Sequence, residues 1–412
     1  MTSISIQTLT CGATLAVEKK STVRSLAVKI FIPAGDVFDP AALEGRATVW
    51  SELLLRGAGS LDSRAQADAF DLLGASLSAS NTRHYMKISS TMLADRFDGV
   101  MPLLIDTLRT PRFDESSFEP STELCLQSLQ SLQDEPQQRC VLDARARHFP
   151  SPLNRSGNGT QAGIGALTRD QTAADWARMA QPNGAIFAIA GNIEPEAAAD
   201  ALNSLLEGWA GEPAAYELGP DPKRGYAHEQ DDSSQVQIIV VHDAPREPSD
   251  DVILEQILVG VLSGGMSSRL FTEVREKRGL CYSVNASYSP SKETGSVTAY
   301  VGTTPERAQE SLDVLIAELH RINGDSPVTQ EEFDRTINGI KSRIVFAGES
   351  TAGRANALGA DIHNLGRARS LEEIAQQVSA VTLDEINAYA SKRTLGTLTI
   401  QTLGPSPLKP PA

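Results

Sequence analysis

Alternating apolar and polar positions predict a strand-rich opening to the chain. Residues 13–18 and 26–33 carry the period-two, partly β-branched pattern of sheet strands, and Gly35-Asp36 follows the second run. Further strands are predicted over residues 76–80, 85–92 and 185–190. Apolar residues spaced three and four apart predict helices over residues 45–55, 63–73, 94–108, 116–133 and 170–179.

The second half of the chain follows the same plan. Strands are predicted over residues 236–241, 282–288 and 296–302, and helices over residues 252–262, 267–277, 305–322 and 329–345. Between residues 211 and 234 the sequence is poor in apolar periodicity and rich in proline, glycine and charge, which indicates a linker. The pattern therefore predicts two domains, residues 1–210 and 235–412.

The closing segments of the two halves resemble each other. Leu167-Thr168-Arg169-Asp170 leads to an apolar run ending at Gly191, and Val381-Thr382-Leu383-Asp384 leads to a similar run ending at Gly404. This similarity indicates an internal duplication with a period near half the chain. Chance likeness between two αβ modules is the alternative explanation.

Composition and charge narrow the class of protein. A chain of 412 residues suggests two domains or four smaller lobes, and 41% apolar with 22% charged residues is typical of a globular protein. The net charge of −15 and the lack of Lys/Arg clusters argue against binding to nucleic acid. Such a charge indicates a well-solvated surface. A more specific interpretation is that the negative charge attracts basic peptides.

The cysteines and the N-terminal sequence provide information on the cellular compartment of the protein. The four cysteines show no C-x-x-C spacing, so neither a zinc ribbon nor a redox motif is predicted, and we expect free thiols in a reducing compartment. The N-terminus lacks a basic segment followed by an apolar run, and no stretch reaches the length of a membrane span. We expect a cytoplasmic protein without membrane contact, or a periplasmic one if a signal peptide has been removed.

One long block resembles a known family. The stretch GGMSSRLFTEVREKRGLCYSV, residues 264–284, closely resembles part of the second domain of pitrilysin-type (insulinase) zinc peptidases. Ala34-Gly35, Arg56-Gly57, Leu73-Gly74-Ala75 and Ala166-Leu167-Thr168 extend the resemblance over nearly the whole chain. It implies the short bacterial form: an α+β fold of two homologous domains, each a largely antiparallel sheet backed by helices, in a clamshell around a peptide chamber.

The metal positions implied by the resemblance are all substituted. Active members carry H-x-x-E-H on the helix before Arg-Gly, with two histidines on one helical face and a glutamate that activates zinc-bound water. Counting back from Arg56-Gly57 puts the histidine positions at Thr48 and Glu52 and the glutamate at Ser51. Alignment on Asp134-Glu135-Pro136 puts the third ligand at Ser128. We therefore expect no metal in this chain, because catalytic zinc needs three protein ligands.

Other groups offer little to restore a metal. The six histidines are well separated in sequence and none forms an H-x-x-x-H pair, so each is interpreted as a surface or hydrogen-bonded side chain. Glu52 alone is interpreted as a solvated carboxylate.

The second-domain pair implied by the resemblance is retained at Arg275 and Tyr282. In the family these residues reach the zinc site of the other domain, where a phenol stabilises the oxyanion formed when water attacks a peptide carbonyl. Arginine holds carbonyls or carboxylates with its rigid fork of donors. The structural alternatives are a helix-terminal charge for Arg275 and a half-buried strand aromatic for Tyr282. Arg278 is interpreted as structural.

The leading hypothesis is a metal-free subunit of a heterodimeric zinc metallopeptidase. A related partner containing H-x-x-E-H would hold the zinc, this chain would supply Arg275 and Tyr282, and the peptide would add as a strand along residues 75–82. A non-catalytic scaffold with the same fold is the alternative. A self-sufficient peptidase of another mechanism is disfavoured, because the sequence shows no nucleophile and base in a recognisable arrangement. Whether the chain forms a homodimer when alone stays open.

Overall fold

The computed structural model describes residues 3–410, which form mixed α and β structure. The strands are β1 Ser3–Thr8, β2 Thr14–Lys19, β3 Ser25–Ile32, β4 Gly57–Ala58, β5 Leu61–Asp62, β6 Ser78–Asn81, β7 Met86–Leu93, β8 Ile186–Gly191, β9 Gly225–Gln230, β10 Val236–Asp243, β11 Cys281–Pro290, β12 Gly295–Thr303 and β13 Thr399–Gly404. The helices are α1 Arg46–Leu53, α2 Ser63–Leu72, α3 Phe97–Arg109, α4 Glu115–Ser131, α5 Pro136–His148, α6 Gln161–Gly165, α7 Arg169–Met179, α8 Pro195–Leu205, α9 Asp251–Ser263, α10 Ala308–Arg321, α11 Gln330–Glu349, α12 Thr351–Leu365, α13 Leu371–Ala380 and α14 Leu383–Lys392.

The chain forms two compact units that interleave along the sequence. The first unit contains Met1–Ser131, Ser151–Gly219 and Ala347–Ser370, and the second contains Leu132–Pro150, Pro220–Phe346 and Leu371–Ala412. The predicted domain boundary at residues 211–234 separates the two duplicated halves of the sequence, and it stays a prediction. The compact units do not coincide with these halves, because each unit includes a short segment from the other half of the sequence.

The first unit is built on a six-stranded sheet of order β1-β2-β8-β3-β7-β6, in which only β2 and β8 are parallel. On β3, Val28 and Ile30 enter the main core, whereas Ala27 and Phe31 enter a smaller cluster with Leu358 of α12. This alternation is the period-two pattern of a strand covered on both faces. The burial of every residue of β8 has the same cause.

Helix α12 lies very close to the outer face of this sheet. A Cβ atom added to Gly359 would come within 2.1 Å of the Phe31 ring. Arg354 of α12 and Glu18 of β2 form a buried ion pair, with Nε 2.7 Å from Oε2 and both side chains about 2% exposed. Close packing and a paired charge therefore hold a helix from the second half of the sequence on the first sheet.

The second unit repeats the strand order of the first. Its sheet runs β11-β12-β10-β13-β9, again with one parallel pair, β9 and β13. This order corresponds to β6-β7-β3-β8-β2 of the first unit, which is what an internal duplication predicts. Ile238 and Val240 enter the main core of this unit, while Ile239 and Val241 pack with Ala144 of α5, a helix from the first half of the sequence.

The predicted α+β class with two largely antiparallel sheets backed by helices is confirmed. Within the predicted linker, Gly225–Gln230 forms β9, a polar strand that pairs along β13 without an apolar signal of its own. The helix predicted over residues 267–277 contains a π-helical segment, Phe271–Glu276. No helix within residues 3–410 has the length and apolar character required to cross a bilayer.

Candidate functional site

Helix α1, on which the sequence analysis predicts the substituted metal positions, is fixed to the core of the first unit along one face. Trp50 is buried, donates from Nε1 to the carbonyl oxygen of Thr172 at 3.0 Å and meets Trp176 edge-on with ring centroids 5.3 Å apart. Arg46 is also buried and donates to Asp175 at 2.8 Å. Positions 48, 51 and 52 are less buried than this face.

Thr48 and Ser51 use their hydroxyl groups in local hydrogen bonds. Thr48 Oγ1 donates to the carbonyl oxygen of Gly157 at 2.7 Å, and Asn81 Nδ2 of the edge strand β6 donates to the same oxygen at 3.1 Å. Ser51 Oγ donates to the carbonyl oxygen of Thr48 at 2.7 Å. Thr48, the predicted first histidine position, therefore connects α1 to the loop containing Gly157.

Glu52 and Ser128, the other two predicted ligand positions, lie on neighbouring helices. Glu52 lies 3.9 Å from Arg56 Nη2, and both side chains are over one-third exposed. Ser128 of α4 is exposed and donates to the carbonyl oxygen of Leu124 at 2.9 Å. α1 and α4 are in contact. Cys125 is a buried residue of α4, and its pKa is raised to about 11 by burial and secondarily by the charge of Glu52.

The four positions thus present three hydroxyl groups and one carboxylate. Within residues 3–410, no group of three histidine, cysteine, aspartate or glutamate side chains gathers around positions 48, 51, 52 and 128. Neutral hydroxyls are poor zinc ligands, and a catalytic site needs three good ones. The residues present do not fit a zinc ion here.

Arg275 and Tyr282, both in the second unit, lie side by side. Arg275 Cζ is 4.9 Å from the ring centroid of Phe271 and 5.2 Å from that of Tyr282, so two aromatic rings position the guanidinium. Within the described residues the guanidinium makes no hydrogen bond or ion pair, which leaves its donors to solvent or a ligand. Phe271 is a contact that the sequence analysis missed, although its spacing of four residues from Arg275 is a helical signal.

Tyr282 protrudes because the backbone bulges at its position. Cys281 pairs with Thr303 and Ser283 with Gly302, so Tyr282 is the extra residue between two consecutive partners on β12. A bulge of this kind re-aims a side chain. The side chain is 84% exposed, which overturns the half-buried strand aromatic as its structural interpretation.

Arg278 has a local structural role, in agreement with its interpretation from the sequence. Its Nη1 donates to Glu273 Oε2 at 2.7 Å, and Lys277 Nζ bonds the other oxygen of the same carboxylate at 2.6 Å. Gly279, at φ +60°, closes the turn by donating to the carbonyl oxygen of Arg275 at 2.9 Å. This turn sets the direction from the Arg275 segment into β11.

The histidines are less isolated than their sequence spacing indicated. In the first unit His84 and His363 lie with ring centroids 4.8 Å apart, His84 Nε2 is 3.2 Å from the Tyr216 hydroxyl, and His363 Nδ1 is 3.1 Å from the Tyr85 hydroxyl. Sequence spacing missed this pair because a hairpin turn and α12, nearly 280 residues apart, supply its members.

Two further histidines are structural groups of the second unit. His148 is fully buried, with Nδ1 3.0 Å from Thr399 Oγ1. His242 is also buried and Nδ1 donates to the carbonyl oxygen of Asp243 at 2.7 Å. Burial, and then the positive charge of Arg393, lower the pKa of His242 to about 4. It is therefore neutral at physiological pH.

Comparison with known proteins places the chain in a family. Residues 14–156 match the model of insulinase, peptidase family M16, and residues 166–340 match that of the peptidase M16 inactive domain. The chain belongs to peptidase family M16.

Related proteins match nearly the full length of the chain. It is 24% identical to an uncharacterized zinc protease of Bacillus subtilis, YmxG, over 93% of this chain and 95% of that protein. An uncharacterized zinc protease of Rickettsia bellii is 24% identical over 98% of both chains.

Solved structures share the fold. The crystal structure of a peptidase M16 inactive domain from Pseudomonas fluorescens superposes with a TM-score of 0.87 at 20% identity, over 99% of both chains. A protease from Helicobacter pylori also gives 0.87, at 16% identity, over 99% of this chain and all of that one.

Proposed function

We propose that this chain is the metal-free subunit of a two-chain zinc peptidase and that it supplies Arg275 and Tyr282 to a zinc site held by its partner. The observation that carries the proposal is a contrast between two sets of residues. The metal positions offer hydroxyls already used in internal hydrogen bonds. The Arg275 and Tyr282 side chains instead stand together with their polar groups available to a ligand.

The exposed pair suits the stabilisation of a developing negative charge. Water attacking a peptide carbonyl produces an oxyanion, and a phenol hydroxyl aimed at it is worth a few kcal/mol in the transition state. Arg275 adds a permanent positive charge and planar donors for a neighbouring carbonyl or carboxylate of the substrate. Because two rings flank the guanidinium, the Arg275 side chain loses little further conformational entropy when it binds a ligand.

The peptide is proposed to bind along β6. This strand lies at an edge of its sheet, so one side of its backbone is not paired with another strand. Peptides commonly bind such edges through main-chain hydrogen bonds, which are largely independent of sequence. Asn81 at the end of β6 bonds the same carbonyl as Thr48, so the edge is anchored to the helix that holds the degenerate motif.

The test is reconstitution with a similar-length chain that contains H-x-x-E-H from the same organism. We expect neither chain alone to cleave a quenched fluorescent peptide efficiently, and the mixture to cleave it in a chelator-sensitive manner. Tyr282→Phe in this chain should lower kcat of the mixture by about tenfold or more, in line with the loss of one oxyanion donor.

The matched control is Tyr288→Phe on the same strand. Its hydroxyl donates to the carbonyl oxygen of Pro245 at 2.5 Å, so this variant also loses one hydroxyl, but one used inside the fold. It should leave kcat of the mixture unchanged. If the complex forms and Tyr282→Phe is as active as the unaltered chain, the catalytic proposal fails and a scaffold role is favoured.

A further inference from the structure

A small cavity in the second unit lies outside the Arg275 and Tyr282 site. Its volume is about 130 Å³, and its walls come from the end of α9, the loop over residues 264–268 and one face of α11. This is far more than one water molecule needs and much less than a cofactor pocket contains. The cavity therefore fits the end of a chain or one small group.

The charges on the cavity wall leave one arginine uncompensated. Glu332 is held in a two-point ion pair by Arg269, with Nε–Oε1 2.8 Å and Nη2–Oε2 2.9 Å. Arg335 pairs with Glu331. Arg343 also lines the cavity, and within residues 3–410 its guanidinium makes no ion pair or hydrogen bond. The net charge at the cavity is therefore positive, on a chain whose overall charge is −15.

The loop side of the cavity adds further donors. The backbone N–H groups of Gly265, Met266 and Ser267 donate to no atom of the described residues, while the carbonyl oxygen of Gly265 accepts from the N–H of Ser268 at 3.0 Å. Successive unpaired N–H groups in a loop are suited to an anion. Met266, 78% exposed on the cavity rim, presents an apolar surface beside them.

We propose that this cavity binds the C-terminal carboxylate of a peptide, with Arg343 as its principal cationic partner. A guanidinium and a carboxylate match as planar groups joined by two charge-assisted hydrogen bonds. The apolar rim at Met266 favours the last residue of a peptide, which brings a side chain with its carboxylate, over a bare inorganic anion. The inference rests on the proposed function in one respect, namely that a peptide is the ligand.

The experiment compares two fluorescein-labelled peptides that differ only at the C-terminus. Both are about ten residues of alternating leucine, serine and lysine, long enough to add as a strand; one ends in a free carboxylate and the other in an amide. Binding to the full chain is measured by fluorescence anisotropy. We expect the free acid to bind about tenfold more tightly than the amide, the size of a charge-assisted contact.

The variant Arg343→Gln tests whether the preference for the free acid depends on this arginine. In this variant the two peptides should bind equally, at the affinity of the amide. Lys341→Gln is the matched control, because it removes the same charge from the same helix at a residue that does not line the cavity. It should retain the preference for the free acid.

The outcomes separate this inference from the proposed function. Equal binding of acid and amide by the unaltered chain, or a preference that survives in Arg343→Gln, overturns the carboxylate site while leaving peptide binding intact. An amidated peptide ending in aspartate tests the source of the carboxylate. If it binds as tightly as the free acid, the cavity accepts a side-chain carboxylate and the C-terminal assignment is wrong.

Discussion

If Thr48, Glu52 and Ser128 are the metal positions of the family, three substitutions should create a zinc site. The variant Thr48→His, Glu52→His, Ser128→Glu places two imidazoles four residues apart on α1, and therefore on one helical face. It adds a carboxylate on α4, which contacts α1. The charge of Glu52 already acts on Cys125, one helical turn before Ser128. Three ligands of these types suffice for zinc with an open fourth position.

The energetic cost of these changes is small. Thr48→His removes one hydrogen bond, worth about 1 kcal/mol, but the Gly157 carbonyl keeps its bond from Asn81 and is not left unpaired. Ser128 is exposed and Glu52 is partly exposed, so their replacement should change stability little. Zinc at about one hundred times its Kd contributes about 2.7 kcal/mol. The zinc-loaded variant should therefore be more stable than the unaltered chain by about 1–2 kcal/mol.

Metal content after dialysis and thermal unfolding with and without chelator measure both effects. We expect one zinc per chain in the variant and a fall in Tm when the chelator is added. The register control replaces Ser128→Glu by Gln127→Glu, which turns the carboxylate about 100° around α4 and should bind zinc far more weakly. Equal zinc binding by the two variants, or none by either, would refute the assignment of these positions.

Three further predictions concern the fold. Arg354→Leu leaves Glu18 buried without its partner and should lower the free energy of unfolding by about 3–5 kcal/mol in a urea titration, whereas adding Glu18→Leu should recover most of the loss. Gly359→Ala should cost about 1–3 kcal/mol because its Cβ meets a phenylalanine ring; Gly353→Ala on the same helix, with contacts of 3.4 Å or more, should be neutral or stabilising by up to about 1 kcal/mol. Since the pKa of His242 falls to about 4 in the folded chain, the unfolded chain alone takes up that proton between pH 6.5 and 4, and stability is lost as pH falls through this window. Between pH 7 and pH 5, His242→Gln should therefore lose about 2 kcal/mol less than the unaltered chain; equal losses would contradict this.

Elements with strong local periodicity were predicted well from the sequence. Strands β3 and β7 and helices α3 and α4 carry long apolar patterns, and their predicted limits differ from the structure by only a few residues. Helix α5 was missed because its outward residues are mostly polar and charged, and strand β9 because it lacks an apolar signal. Such elements are stabilised by the surface on which they pack, a property that no short window of sequence contains.

In the candidate site too, some features were predicted from the sequence and others are seen only in the three-dimensional structure. Counting from Arg56-Gly57 predicted Thr48, Ser51 and Glu52 as metal positions, but it gave no sign of the Gly157 carbonyl oxygen that Thr48 bonds more than one hundred residues away. The spacing of Arg275 and Tyr282 identified the pair, while the bulge and the Phe271 contact that position it depend on three-dimensional pairing.

By itself, the sequence determined the types of side chain at the predicted functional positions, the two-part plan and most regular elements, since identity and periodicity are local properties. The tertiary structure decided which helix covers which sheet and which polar groups are already bonded. It placed α5 on the second sheet and α12 on the first, because the outer faces of those sheets require cover and small residues there allow close approach. Residues hundreds of positions apart in the sequence bury one another, and only the folded structure shows which of them meet.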